Sequence, residues 1–296
     1  MQIPSLQQLL EAGVHFGHQT RRGNPRMRPY IYGAREGVHI IDLTLSEKML
    51  GAACDYVREL GKSGGVLLFV GTKKQAQPII EELAQRSNSP YLKNRWIGGF
   101  LTNFDEIQKN IKKLKELKEQ KEKGELSKYT KKEQLLIDRR VAQLERDLGG
   151  VGDLTQVPDA IFIVDCVKED TAVREANRLG VKLVAISDSN SDPSLIDYPI
   201  PGNDDAIKAI RILSESVAQA FEEGRKEAGK EAVKAADKKA KEDAKAELEA
   251  ANAEEMLNSA VPATPRIPDE VGIAADVAIA EEVVEKKELE ESKREG

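Results

Sequence analysis

Three features of the chain predict a parallel β-sheet with helices on both faces, interrupted once by an antiparallel helical hairpin. Short Val- and Ile-rich runs are apolar at successive rather than alternate positions, as strands buried on both faces require. Each run is followed by a segment with helix-start signals, and strand–helix alternation of this kind builds a parallel sheet. The alternation breaks once, between Phe104 and Leu148, where two helical stripes replace the strand pattern.

The first 37 residues are a basic segment expected to pack on the body. Gly23, Asn24, Pro25 and Pro29 make its middle a loop rather than a helix. Strand-like runs follow at Val38–Leu43, Val66–Val70, Ile161–Val164 and Leu183–Ile186. Thr44-x-x-Glu47 and Thr72-x-x-Gln75 fit capping boxes, and Gly61 and Gly180 stand where helices should stop. A last helix opens at Asn203, with Asp204 and Asp205 placed to complement its dipole. Its apolar positions Ile207, Ile210, Leu213, Val217 and Phe221 keep helical spacing.

In the interruption, Ile107, Ile111 and Leu114 form one stripe, and Ile137, Val141, Leu144 and Leu148 form another. The polar stretch Lys118 to Lys132 separates them, with Gly124 and Ser127 as turn candidates. Stripes this narrow, on helices otherwise heavily charged, suit a protruding coiled-coil hairpin closing on itself; two helices lying on the sheet are the alternative. The expected divisions are therefore residues 1–37, an α/β domain at 38–103 and 150–224, a hairpin at 104–149, and a tail at 225–296. The tail turns to Ala, Glu and Lys with few large apolar side chains, so it is expected to be disordered beyond at most a solvated helix.

The chain has 296 residues and a formal net charge of −6, but the average hides a split. From Glu222 onward there are 13 basic and 21 acidic residues, which leaves the preceding body slightly basic. The acidic total therefore does not exclude a nucleic-acid partner. Two cysteines, Cys54 and Cys166, exclude a disulfide scaffold and suit a reducing compartment. With no membrane-length apolar run and no secretory signal, the expectation is a soluble cytoplasmic protein.

Signs of catalysis are sparse. Neither G-x-G-x-x-G nor a P-loop occurs, and Gly149-Gly150-Val151-Gly152 follows a helix and reads as a stop and linker. Gly71-Thr72-Lys73-Lys74 could hold a phosphate at a helix start, of RNA or of a small molecule; a cap with solvated lysines accounts for the same residues. His15 and His18 stand three apart, without H-E-x-x-H or paired cysteines to support zinc, and His39 reads as a satisfied core residue. The loop Ser187–Pro193, with Asp188 and Asp192, joins Asp204 and Asp205 as a possible hard-cation site. Asx turns and an acidic helix start explain it equally well. No catalytic residue, metal or cofactor is assigned.

Charge without counter-charge is the sharper signal. Between Glu11 and Glu36 no acidic residue occurs, yet Arg21, Arg22, Arg26, Arg28 and Arg35 do, with Phe16, Tyr30 and Tyr32 interleaved. Guanidinium forks pair bidentately with phosphate and stack on bases. A second acid-free window, Leu83 to Phe104, carries Arg86, Lys93 and Arg95 among Tyr91, Trp96, Phe100 and Phe104. Its cations suit RNA, whereas Trp96, Phe100 and Phe104 read as a plug at the hairpin base. The candidate RNA-binding residues are His15, His18, Thr20, Arg21, Arg22, Asn24, Arg26, Arg28, Tyr30, Arg35, Lys73, Lys74, Lys93, Asn94, Arg95 and Asn103. An α/β enzyme taking a nucleotide or phosphorylated small molecule is the alternative.

Several segments carry a resemblance. Leu9–His18 and Asn24–Ile31, then Phe69–Ala76 and Asn94–Asn103, then Pro158–Asp165 and Asp197–Asp205 stand in order over about residues 3–225. Together they resemble the family of the second protein of the small ribosomal subunit, bacterial and organellar type. Arg26 and Arg28 stand where lysine is common in that family, which keeps the charge. The resemblance implies a flavodoxin-like sheet with a coiled-coil hairpin, and a non-catalytic protein bound to small-subunit rRNA between head and body. It also implies neighbouring ribosomal proteins as partners, including the large mRNA-binding protein that it helps to anchor.

Overall fold

The computed structural model describes residues 3–230. In chain order the elements are α1 (Leu6–Glu11), β1 (Phe16–Gln19), β2 (Ile31–Arg35), β3 (Val38–Ile41), α2 (Leu43–Lys62), β4 (Leu67–Val70), α3 (Gln77–Arg86) and β5 (Tyr91–Leu92). There follow α4 (Phe104–Glu122), α5 (Lys131–Leu148), β6 (Ala160–Ile163), α6 (Asp170–Leu179), β7 (Lys182–Ser187) and β8 (Tyr198–Pro201). A final helix, α7, spans 207–230.

Five strands form a parallel sheet in the order β5-β4-β6-β7-β8. Their side chains alternate between two cores, as both-face burial requires. Leu67 and Phe69 of β4, Phe162 of β6 and Val184 of β7 enter one core with Leu50, Val57, Ile80 and Leu213 from α2, α3 and α7. Leu68 and Val70, Ile161 and Ile163, and Leu183 and Ala185 enter the other with Val173 of α6 and the apolar stripes of α4 and α5. This is an α/β architecture consistent with a flavodoxin-like fold. β4, the first strand of this sheet, lies between β5 and β6, so the chain reverses its direction of growth at the β4/β6 boundary.

The first strand-like run corrects the expectation. Val38–Ile41 is not in the parallel sheet; it is the middle strand of a separate antiparallel sheet, β1-β3-β2. Glu36 (φ 54°) and Gly37 (φ 77°) close β2 and β3 into a two-residue hairpin, whose positive φ values match the twist of antiparallel strands. The boundary expected at 37/38 falls on that turn. The strap between β1 and β2 is not a plain loop but two 3₁₀ turns, Thr20–Arg22 and Pro25–Tyr30, the second capped by the Asn24 side chain accepting from the Arg26 N–H.

Helix ends depart from the sequence reading in the same local way. Asp42, not Thr44, caps α2 by accepting from the Thr44 N–H at 2.8 Å. Thr72 caps nothing: α3 starts five residues later, and the Thr72 hydroxyl is committed to Glu169. Gly180 does stop α6, in left-handed conformation, but Gly61 lies inside α2. A β-carbon on Gly61 would approach the Phe221 carbonyl of α7 to 2.6 Å, and one on Gly224 would meet the Arg58 carbonyl of α2. Both glycines are there to let two helix backbones touch. On α7, Ile210, Leu213, Val217 and Phe221 are buried as expected, whereas Ile207 is exposed.

The helices α4 and α5 pack through Ile107, Ile111, Leu114, Val141, Leu144 and Leu148. Lys118–Glu145 (2.7 Å) and Lys121–Asp138 (2.7 Å) bridge them outside the apolar stripe. Thr130 and Glu133 start α5 with a reciprocal capping box that the sequence reading missed. The tail reading for 225–296 lies outside the described residues from 231 onward. No helix among the described residues is long and apolar enough to cross a membrane. Substituting Gly224 by Ala should lower stability by about 1–3 kcal/mol through overpacking at the α2–α7 crossing. A urea titration should show this as a lower midpoint with an unchanged slope.

Candidate nucleic-acid interface

Parallel strands end on one edge, so the residues following β4, β6, β7 and β8 converge there. Lys73 follows β4, Asp165 follows β6, Asp188 follows β7, and Asp204 and Asp205 follow β8. The Lys73 ammonium lies 2.7 Å from Asp204, 2.8 Å from Asp205 and 3.0 Å from Asp165. His18 of β1 reaches the same cluster, with Nδ1 3.0 Å from Asp188 and Nε2 3.5 Å from Asp205. Asp188 and Asp204 are almost fully buried, so each depends on these cationic neighbours and on hydrogen bonds.

Charge states follow from the geometry. Burial opposes protonated Lys73, but Asp204, Asp205 and Asp165 outweigh it and hold the ammonium charged far above neutral pH. The hydrogen bond to Asp188 raises the His18 pKa, against the effect of its own burial. Burial, then the neighbouring Asp188 and Asp165 carboxylates, pushes the Asp204 carboxyl up to about 7, although Lys73 resists this. Beside Lys73, at the β4/β6 boundary where α/β sheets hold ligands, the Thr72 hydroxyl donates to Glu169 and the Lys168 ammonium to the Thr72 carbonyl at 2.9 Å. The crevice is filled by the chain's own groups. Lys73, expected as a phosphate contact, is therefore consumed internally, while Lys74 is exposed with no partner among the described residues.

Donor atoms of His18, Asp188 and Asp204 lie within 4.8 Å of one another, close enough to share a metal ion. Of the two other carboxylates expected with them, Asp205 sits on the exposed rim with Lys73, and Asp192 turns away to Arg26. His15 and His18 do not act as a pair: the His15 ring packs on Phe16, and its buried Nδ1 has no partner. Burial lowers the His15 pKa. His39 corrects the expectation of a satisfied core residue, since it is only half-buried and its Nδ1 is also unpartnered.

The same acidic edge docks the arginine strap. The His18 N–H donates to Ser189 Oγ (2.8 Å) and to Asp188 Oδ1 (3.2 Å), and the Asn24 N–H donates to the Ser189 carbonyl at 2.8 Å. Arg26 pairs with Asp192 and donates to Ser194 Oγ at 2.9 Å. Arg21 is held by Gln19 at 2.8 Å, and exposed Arg35 makes a loose 3.8 Å pair with its neighbour Glu36. Arg22 and Arg28 are exposed and meet no carboxylate among the described residues. Thr20 is exposed beside them, and Tyr30 is half-buried, its carbonyl taken by the Asp42 N–H.

The second acid-free window is also anchored from afar. Lys93 and the Tyr91 hydroxyl both bond Glu81, and the Asn94 amide donates to the Arg146 carbonyl. Arg95 is 65% exposed and lies 3.5 Å from Asp147, and Asn103 is exposed just before α4. Trp96, Phe100 and Phe104 pack in sequence, ring centres 5.0 and 6.3 Å apart, as the expected plug. Sequence reading missed Asp165, Glu169 and Glu175. Only Asp165 carried a usable signal, its place directly after a strand.

The charge cluster has a pH signature. Because the folded Asp204 carboxyl titrates near 7 rather than its ordinary 3.8, its contribution to stability is full below about pH 4 and is lost as pH rises through 7. Raised His18 has the same sign. Stability in metal-free buffer should therefore fall between pH 5 and pH 8. Asp204→Asn should flatten that fall by more than about 1 kcal/mol in urea titrations at the two pH values.

Comparison with known proteins agrees with the motifs. A family model described as "Ribosomal protein S2" matches residues 9–224. The chain is 48% identical over 226 residues to "Small ribosomal subunit protein uS2" of Coprothermobacter proteolyticus, covering 76% of this chain and 84% of that relative. It is 47% identical over 222 residues to the protein of that name from a Nitratiruptor species, covering 75% and 83%. It is 49% identical over 224 residues to the one from Lawsonia intracellularis, covering 76% and 77%. With the family model matching from α1 into α7 and near-half identity over most of each relative's length, the chain belongs to the ribosomal protein S2 family.

Proposed function

We propose that this chain is a structural constituent of the small ribosomal subunit that holds small-subunit rRNA through its arginine strap. The family is one of structural proteins, and the chain is not an enzyme. The alternative of an enzyme for phosphorylated substrates fails for a local reason as well, since Lys73 at the ligand edge is bound to three carboxylates. The single observation that carries the RNA reading is the pair Arg22 and Arg28. Both are exposed on a segment fixed to the body, and neither meets a carboxylate among the described residues. Guanidinium groups so displayed fit backbone phosphates.

Lys74, Arg21, Arg35 and the segment from Lys93 to Asn103 are read as further contacts. The α4–α5 pair is read as a coiled-coil arm closed by its own ion pairs, and the tail expected at 225–296 begins inside α7, which runs to 230. In the cytoplasmic ribosome the chain sits between head and body, next to the large mRNA-binding protein that it helps to anchor. The supports for this placement are the family, the basic strap and the separate motifs that stand in order from Leu9 to Asp205.

Binding to small-subunit rRNA should weaken steeply with salt. Arg22→Ala and Arg28→Ala should each lower the slope of log affinity against log salt by up to about 0.7–0.9, whereas Arg211→Ala, at the α7 pair with Glu82, should leave it unchanged. Unchanged slopes in both arginine variants would defeat the reading.

A further inference from the structure

One carboxylate outside the charge cluster bonds the backbone of a segment whose Phe100 and Leu101 side chains are buried in the core. Glu175 lies on the inner face of α6 and is 8% exposed. Its Oε1 accepts from the Trp96 indole N–H at 3.1 Å and the Gly99 N–H at 2.7 Å. Its Oε2 accepts from the Leu101 N–H at 3.0 Å, the Thr102 N–H at 3.2 Å and the Thr102 hydroxyl at 3.3 Å. Five donors surround it, and no lysine, arginine or histidine pairs with it among the described residues. The segment 96–103 has thus folded into a cradle of N–H groups, a site shaped for an anion, and the chain supplies that anion itself. Burial alone would raise the Glu175 pKa, but the donors hold it below the ordinary carboxylate range.

The cradle lies in the middle of an otherwise irregular stretch. Lys93 and Asn94 tie the near end to Glu81 and Arg146, and the far end continues into α4. Between those points only Glu175 bonds the backbone N–H groups of Gly99, Leu101 and Thr102 to the body. Arg95, Gly98, Thr102 and Asn103 are exposed along the same stretch. A segment already ordered loses little freedom when it meets a partner. Glu175 is worth most to the chain if that outer surface is used.

We propose that Glu175 is a positioning residue for the RNA interface: its carboxylate fills the N–H cradle of residues 96–102 and so presents Arg95, Thr102 and Asn103 to rRNA as one rigid surface. This rests on the reading that the segment meets rRNA. Glu175 touches no RNA; it acts through the backbone that it holds.

Glu175→Ala in the full chain leaves the cradle empty, and a small carboxylate added to the buffer can refill it. Expected are about tenfold weaker binding to small-subunit rRNA and faster exchange of the Gly99, Leu101 and Thr102 amides. The amides of β4 and β6 should keep their protection. Added formate should restore affinity and amide protection together, with the emission of Trp96, the only tryptophan, returning in parallel. Released amides with wild-type affinity would overturn the proposal, and so would formate that restores the amides but not the binding. If Glu175→Ala fails to fold, Glu175→Gln carries the test, because it keeps the shape but turns one acceptor into a donor. Wild-type affinity in that variant would also overturn the proposal. Failure of the underlying reading looks different: the wild-type chain itself shows no salt-sensitive rRNA binding, while the amide arm still reports the cradle.

Discussion

Everything at the working end of this molecule depends on one ammonium group placed among three carboxylates. A parallel sheet brings the ends of β4, β6, β7 and β8 to one edge, and the sequence puts Asp165, Asp188, Asp204 and Asp205 there. Taking such charges out of water costs several kcal/mol each unless cations and donors compensate. Lys73 compensates from the loop after β4, and His18 compensates from β1. The edge that other α/β proteins leave open for a ligand is thereby closed. The same carboxylates that need His18 also oblige the first antiparallel sheet to lie against the body. Charge neutralisation and strap docking are a single event.

Two kinds of arginine result from that docking. Arg26 is used up by Asp192 and holds the strap in place, whereas Arg22 and Arg28 are presented outward with their charge intact. A strap fixed in this way offers guanidinium groups at set positions rather than along a loose chain, which lowers the ordering cost of meeting a partner. Glu175 does for residues 96–102 what the acidic edge does for residues 15–28. In both cases a buried carboxylate from far along the chain accepts from backbone N–H groups, Asp188 from that of His18 and Glu175 from those of Gly99, Leu101 and Thr102.

Much of this was legible in the sequence, and the failures share a cause. Ile161–Ile163 and Leu183–Ile186 show both-face burial in their composition, because both cores press on every residue. The stripes Ile107–Leu114 and Val141–Leu148 keep their period because one face of each helix packs into a core. Val38–Ile41 has a similar composition but a different sheet, because its place is decided by the Glu36-Gly37 turn and not by its own residues. Thr72 obeys a capping pattern, yet Glu169, 97 residues away, takes its hydroxyl. The two acid-free windows were visible, but the carboxylates that bond their backbone and side chains, Asp188 with Asp192 and then Glu175, lie about 170 and 75 residues away in sequence. Local spacing cannot reveal a pairing that only the folded sheet creates. Hence Lys73 and Lys74, adjacent and alike in sequence, have opposite fates.

The central claim is that the strap, and not the closed edge of the sheet, meets RNA. Phenylglyoxal labelling of arginines, read by mass spectrometry on the chain free and bound to small-subunit rRNA, tests it most directly. Arg22 and Arg28 should lose their label in the complex, while Arg211 of α7, paired with Glu82 away from the strap, should keep it. Equal labelling of Arg22 and Arg28 in the free and bound chain would contradict the account.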